Sequence, residues 1–533
     1  MKKLKLVCVA IAMAGAAPTF AGGLLTNTNQ HVAFNRMMSR EASIGIDGVY
    51  YNPAGVVFMG EGHHLAINWQ LAYQTRTINN DYKLFTNNVN NPITPRDFKG
   101  KAFAPVIPSF QYAYNKDKWS FQANFALTGG GGKCTFDDGL GSFEKIVSET
   151  AIAACKLAGA VDQVAEAYHV PAIFSSNQCF GTEGKYSYNS YMHGRQYYYG
   201  LSVGAAYKFC DNFSAFLGVR GVYALTNYYG YVENINVGNM PLYKVLDPTK
   251  ENAANIELSC DQTGVGFTPI IGVDYKTGRW NFSAKYEFKT RIRLKNKSVN
   301  QTPSIGNLPA NLANQMTGIL TARYQQAGLP LEQAKQQAEN TTNTVLSDPK
   351  VGATMMGLKT QFDQKLNKAI GEYEDGKKIA GDIPGYLALG IGYSPVDAVR
   401  VNVGFHWFDD KNATSYNNRN KELKRGTLEY NAGVEVDVNK KITLSTGWQN
   451  TNYGLSDEYM DDKSFVVSSN SAAIGGVYHI NKKMNLNVAY FHTFYQHKKT
   501  SETVQLAADK SVVYNSDYTR NNNVFAVGLD INF

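Results

Sequence analysis

From residue 64 onward, apolar residues alternate with polar or small ones in segment after segment, the period-two signature of a sheet with two unlike faces. The last segment is the plainest. Phe525, Val527, Leu529, Ile531 and Phe533 share one parity, and Ala526, Gly528, Asp530 and Asn532 the other. Val399 to Trp407 alternates with Arg400, Asn402, Gly404 and His406, and two further runs, Trp280–Phe288 and Leu428–Val438, behave alike. The segments run to roughly ten residues or more with Tyr, Trp and Phe near their ends, as lipid-facing strands do. A soluble sandwich would use shorter strands with a charged outer face. Predicted strands centre near Trp69, Phe110, Phe121, Val203, Leu217, Ile271, Phe282, Leu389, Val403, Val434, Leu444, Ile474, Val488 and Val527. Their even number returns the C-terminus to the side where the chain began.

The connections alternate in length. Asn115–Lys118, Cys210–Asn212, Lys276–Arg279, Ser394–Asp397, Asn439–Lys441 and Asn481–Lys483 are tight and polar, whereas 79–100, 129–190, 232–262 and 296–382 are long. Short turns on one rim and long loops on the other are the asymmetry of an outer-membrane barrel. Backbone polar groups cannot go unpaired in lipid, so the sheet must close. The predicted fold is therefore all-β: a 14-stranded antiparallel transmembrane β-barrel with helical extracellular loops, spanning residues 63–533.

Composition narrows this further. Charged residues are 18% of 533, below the roughly 25% of soluble domains, while aromatics reach 12%. Disorder is excluded for most of the chain. The formal charge of +8, partly carried by Lys2, Lys3 and Lys5, is too scattered for nucleic acid. Met1–Lys5, the apolar Leu6–Ala17 and Thr19-Phe20-Ala21 read as a signal peptide over residues 1–21. No later apolar run approaches the roughly 18–20 residues of a spanning helix. The expected location is the bacterial outer membrane.

Residues 141–168 and 308–376 have helical spacing, the second with Leu308, Leu312, Met316, Ile319 and Leu320 along one stripe. The stripe either buries itself in a cap or lines an apolar vestibule that captures ligand. Cys134, Cys155, Cys179 and Cys260 fall in long loops and are expected to form two disulfides of open connectivity, with Cys210 a free thiol on the opposite rim.

Residues 22–62 lack alternation yet carry mixed charges and apolar anchors, and a compact segment ahead of a barrel this wide is naturally placed inside it. Within it, Arg36 to Gly55, with Ala42-Ser43, Asp47-Gly48 and Tyr51-Asn52-Pro53-Ala54-Gly55, resembles the N-terminal hatch (plug) of FadL-type outer-membrane transporters, the long-chain fatty acid and TodX-type hydrophobic compound channels. The resemblance implies a gating role for Asn52, Pro53, Ala54 and Gly55. It also implies a kinked third strand that opens a side window. Gly129, Gly130, Gly131 and Gly132 suit such an interruption, although a loop start after Leu127 fits them as well. Phe533 resembles the terminal aromatic that barrel assembly machinery recognises.

The resemblance implies passive uptake of a hydrophobic small molecule or fatty acid: capture in the outer loops, lumenal binding, then lateral release into outer-membrane lipid. For an anionic ligand, the inward-parity bases Arg220 and Lys285 are head-group candidates, unless they pair with Glu287, Glu429 or Glu435. No cofactor, metal or enzymatic activity is expected, and the chain is expected to act as a monomer. Thr128–Cys134 has the wrong glycine spacing for a phosphate loop. His63-His64, His406, His479 and His492 have no ligand partner at metal spacing. The alternatives are a general diffusion porin, which would conduct ions steadily, and a surface receptor or adhesin that uses its long loops.

Overall fold

The structure is a computed structural model that describes residues 24–174, 184–303, 305–507 and 510–533. The expected signal peptide lies outside the described residues. Among the described residues no helix is long and apolar enough to cross a membrane.

Fourteen antiparallel strands form the wall: β1 (Gly62–Tyr82), β2 (Arg96–Lys116), β3 (Trp119–Phe136), β4 (Tyr186–Cys210), β5 (Phe213–Val237), β6 (Ile256–Thr277), β7 (Trp280–Glu287, continued by Arg293–Gln301), β8 (Lys378–Ala380 and Tyr386–Val396), β9 (Val399–Phe408), β10 (Thr427–Asn439), β11 (Ile442–Asn452), β12 (Ser469–Asn481), β13 (Met484–Tyr495, continued by Lys498–Ala507) and β14 (Lys510–Asn532). All fourteen predicted centres fall in these strands. β14 closes on β1, from His64 opposite Asn532 to Tyr82 opposite Tyr514.

The alternation decides which face meets what. Phe525 is 41% exposed on the outside, while Val524 and Ala526 on either side are fully buried within. Leu217, Phe267, Val403, Trp448 and Ile474 likewise point out, and Gln70, Gln111, Asn402, His406 and Glu429 point in. An apolar exterior around a polar bore suits hydrocarbon outside and a filled or wet lumen inside.

Strands β4 and β5 are 25 residues long, more than twice the roughly 9–11 that cross a bilayer. Much of what reads as loop in the sequence is thus strand standing above the membrane, since alternation weakens once both faces meet protein or water. On this collar sit α1 (Gly141–Ala167), α2 (Leu308–Gln326), α3 (Leu331–Leu346) and α4 (Pro349–Ile370). The two helical excursions do meet: Lys365 pairs with Glu149, and Arg323 donates to the carbonyls of Pro171 and Ala172 at 2.8 and 3.0 Å. At the start of α1 the fully buried Glu144 accepts from Tyr186 and Tyr188, each at 2.9 Å, and pairs with Arg96, fixing the helix to the collar.

Among the described residues, Cys134, Cys155 and Cys260 form no disulfide with one another. Cys134, on β3, and Cys260, on β6, are both thiols. Two strands separate them in the wall, a span of roughly 14 Å at ordinary strand spacing, beyond disulfide reach. Cys210 is a free thiol at the short-turn rim, and Cys179 lies outside the described residues.

Candidate functional site

Residues 24–61 run inside the barrel, almost wholly buried between Thr26 and Val57. Short helices at Val32–Arg36 and Gly48–Tyr51 give the segment its shape. What lets it lie against the wall is glycine. Gly390 faces Gly404 and Gly433 faces Gly447 across paired strands. A Cβ on Gly447 would stand 2.4 Å from the backbone nitrogen of Met38, and one on Gly390 would stand 2.5 Å from the Cβ of Glu41.

Charge then holds it. Glu435 on β10, 6% exposed, accepts Arg36, Arg40 (3.2 Å) and Arg400 (3.4 Å) together. Arg40 also forks onto Asp47 at 2.7 and 3.1 Å. His406 on β9 lies between Glu41 of the segment, at 2.7 Å, and Glu429 of the wall, at 2.8 Å. Sequence spacing hides both clusters, because Glu41 and His406 are 365 positions apart.

The Asn52-Pro53-Ala54-Gly55 turn is bonded to three strands. Asn52 Nδ2 donates to Asp274 of β6 at 2.5 Å. Gln122 of β3 donates to the Pro53 carbonyl and Ser214 of β5 to that of Ala54, both at 2.7 Å. Asn52 Oδ1 accepts from Gly55 N at 3.1 Å, and a Cβ on Gly55 would collide with the Asn52 amide, so the turn needs both residues.

Arg220 and Lys285 share Glu287. Arg220 grips it at 2.6 and 2.9 Å, and Lys285 at 3.0 Å while donating to the Tyr50 carbonyl at 2.6 Å. They form a closed, buried knot under the segment, the pairing alternative rather than an open head-group site. The wall cation that faces the inner cavity is Arg76; Arg520 stands directly opposite it in the β1–β14 register and donates to the Phe465 carbonyl at 3.2 Å. Gln74 Oε1 accepts from both, at 3.3 and 2.6 Å.

The four glycines do not begin a loop, because β3 runs through them to Phe136. They interrupt it instead. The β2–β3 ladder lapses between Lys101 opposite Thr135 and Phe110 opposite Phe125, and the β4 register slips at Gly129 and Gly132. On the neighbouring strand Pro105 and Pro108 lack the donors a ladder needs, a signal that the sequence itself carries. Inside the gap, Thr26 bridges Gly129, Asn27 N donates to Thr128 O and Gly130 N to Leu25 O, both at 3.0 Å. Next to it Phe34, Tyr50, Tyr51, Ala104, Ile107 and Leu127 form an apolar cluster.

Of the helical stripe, Leu308, Leu312, Met316 and Leu320 are buried in the cap core and Ile319 packs against it. Leu308 and Leu312 also line a cap cavity of about 40 Å³. A second, of about 50 Å³, is lined by Phe143, Val147, Ile256 and Leu258. It shares Met192, Tyr228 and Lys463 with the inner cavity of Leu24, Leu25, Arg76, Gly130 and Cys134. Below the segment the lumen is polar: a funnel of about 1150 Å³ lined by Arg36, Arg400, Glu435, Asp437 and Asn487.

The outer end of the segment hangs on Asp410, in the loop after β9. Leu24 N donates to it at 3.2 Å, and Thr427 N and Oγ1 at 2.8 and 2.6 Å. Burial pushes the Asp410 carboxyl up to about 6, outweighing the Thr427 hydrogen bonds that pull it down. A carboxyl raised on folding contributes stability that is complete below its unfolded value near 4 and lost as pH rises through 6. The D410N variant should therefore lose part of the wild type's decline in melting temperature between pH 4 and 7; an unaltered decline would disprove the assignment.

No protein-family model matches the sequence, and no curated protein does. Among solved structures, a Pseudomonas aeruginosa FadL homologue aligns with a TM-score of 0.57 at 13% identity, covering 96% of this chain and 100% of that one. A deletion mutant of the monoaromatic hydrocarbon channel TodX aligns with a TM-score of 0.50 at 14% identity, again covering 96% and 100%. The chain is a closed fourteen-stranded barrel. Its fold is the FadL-type fold.

Proposed function

We propose that the protein is a bacterial outer-membrane channel for passive uptake of hydrophobic compounds, with residues 22–62 as its hatch and the β2–β3 gap as its lateral exit. The observation that carries this is the course of the apolar surface. It leads from the cap cavity of Phe143 and Ile256 past Tyr228 to Leu25 and Gly130, with the Phe34–Ile107 cluster beyond at the lapse in the ladder. The periplasmic funnel is polar, so an apolar ligand gains by leaving sideways. Each methylene moved out of water is worth about 0.8 kcal/mol, and no energy source is required. The cavities are narrow, so passage needs the hatch and cap to shift.

Long-chain fatty acids are the proposed ligands. The Arg76 guanidinium, with Arg520 beside it adding positive charge, would hold a carboxylate at the inner cavity while the tail lies on Leu24, Leu25 and Phe465. The neutral compounds named for TodX, the monoaromatic hydrocarbons, would not use these arginines.

Uptake of a radiolabelled long-chain fatty acid and of toluene by cells expressing each variant tests both parts. N52A and P53A should each cut uptake of both compounds several-fold with normal barrel assembly. Unchanged uptake would rule out gating by this turn. R76Q/R520Q should reduce fatty acid uptake alone; an equal loss for toluene would refute the head-group assignment.

A further inference from the structure

The short-turn rim carries a repeated device that transport does not use. Asn439-Lys440-Lys441 closes β10 to β11 and Asn481-Lys482-Lys483 closes β12 to β13. The two turns are built alike. Asn439 Oδ1 accepts from Lys441 N at 2.8 Å, and Asn481 Oδ1 from Lys483 N at 2.8 Å. Each follows a slip in register, at Asp437/Asn439 and at His479/Asn481. Because β11 and β12 are paired neighbours, the turns stand side by side, joined where His479 N donates to Lys441 O at 2.9 Å.

All four lysines are exposed, and among the described residues none has a carboxylate within ion-pair distance. Of the other cations on the rim, Lys208 pairs with Asp211, Arg279 with Asp397 and Arg400, just inside, with Asp437. Lys116 and Lys118 of the β2–β3 turn have no ion pair among the described residues, but they belong to a single turn rather than a joined pair. The nearest side chains on the outer wall are Val438, Ile442, Tyr478 and Ile480, each more than a third exposed. Four positive charges therefore sit where an apolar wall meets water, with Lys440, Lys441 and Lys482 also bordering the mouth of the lower funnel, at the depth of lipid head groups. Flexible ammonium groups there reach along the interface to phosphates.

We propose that the paired Asn-Lys-Lys turns form a binding platform for acidic phospholipid, the lysines holding the phosphodiester head group and the Ile442–Tyr478–Ile480 face receiving the acyl chains. A free anion would be held only by the lysines. A lipid engages both features, and the continuity of charge with apolar wall favours it. This inference needs only that the barrel sits in a bilayer, and does not depend on what the channel carries.

The test reconstitutes the full barrel in equimolar phosphatidylglycerol and phosphatidylcholine, extracts it with styrene–maleic acid copolymer and measures the co-extracted lipid by mass spectrometry. Wild type should be enriched in phosphatidylglycerol about threefold over the bulk mixture. K440Q/K441Q/K482Q/K483Q should return to the bulk ratio, and K440Q/K441Q alone should fall between the two. The side chains replaced here are exposed and make no ion pair or side-chain hydrogen bond among the described residues, so assembly should be unaffected. A cap variant, K335Q/K359Q, should keep the enrichment. Enrichment that survives in the fourfold variant overturns the proposal, as does an equal loss in the cap variant. Full displacement by millimolar glycerol phosphate would reduce the platform to a simple anion site and also overturn it.

Discussion

Replacing Glu435 with alanine is expected to free the N-terminal segment from the wall and turn the barrel into a conducting pore. Glu435 is the shared counter-ion of Arg36, Arg40 and Arg400 in a site only 6% exposed. Without it, Arg40 keeps Asp47 and Arg400 keeps Asp437, but Arg36 is left with Ser445 at 3.0 Å and Asn487 at 3.3 Å, both neutral. Removing one partner of a buried ion pair costs about 3–5 kcal/mol, because the remaining charge stays out of water uncompensated. The strand ladder is untouched, so the cost falls on the segment rather than on the barrel. Planar bilayers should show steady ionic conductance in E435A and little in wild type, and limited proteolysis should cut within residues 24–60 only in the variant. A variant as silent and protease-resistant as wild type would refute the anchoring role.

Gly447→Val is expected to act as strongly by a steric route. Its Cβ would press to 2.4 Å on the Met38 nitrogen and 3.0 Å on the Met37 Cα. Both are backbone atoms that cannot rotate away, so the disturbance exceeds the roughly 1–3 kcal/mol of ordinary overpacking. The segment must lift off β11, again giving conductance. Gly318→Ala in α2, where a Cβ meets nothing within 4 Å, is the control and should leave the barrel non-conducting. Equal conductance from both variants would show that glycine at 447 is not what seats the segment.

Pro105 and Pro108 bear on how much of the lateral gap was legible. The glycine run alone left two readings, strand break or loop start, because glycine suits both. Two prolines on the neighbouring strand settle it only once the register places them in the same lapse of the ladder as the glycines, and register is not a property of either segment by itself. The lysines of the short turns were legible as turns. That two identical tripeptides stand beside each other follows from the pairing of β11 with β12.

The amino-acid sequence by itself determined the lipid-facing part of the wall: period two there, fourteen strand centres, apolar outward and polar inward, tight turns on one rim. Side-chain alternation is a local property, fixed by the backbone's own geometry, so the order of residues carries it whole. Only the tertiary structure decided the partners. Arg220 and Lys285 meet Glu287, His406 meets Glu41, three arginines meet Glu435, and Cys134 stands apart from Cys260. These are contacts between inward residues of distant strands and an N-terminal segment that lies across them. They depend on barrel closure and on depth along the axis, which no stretch of the chain encodes alone.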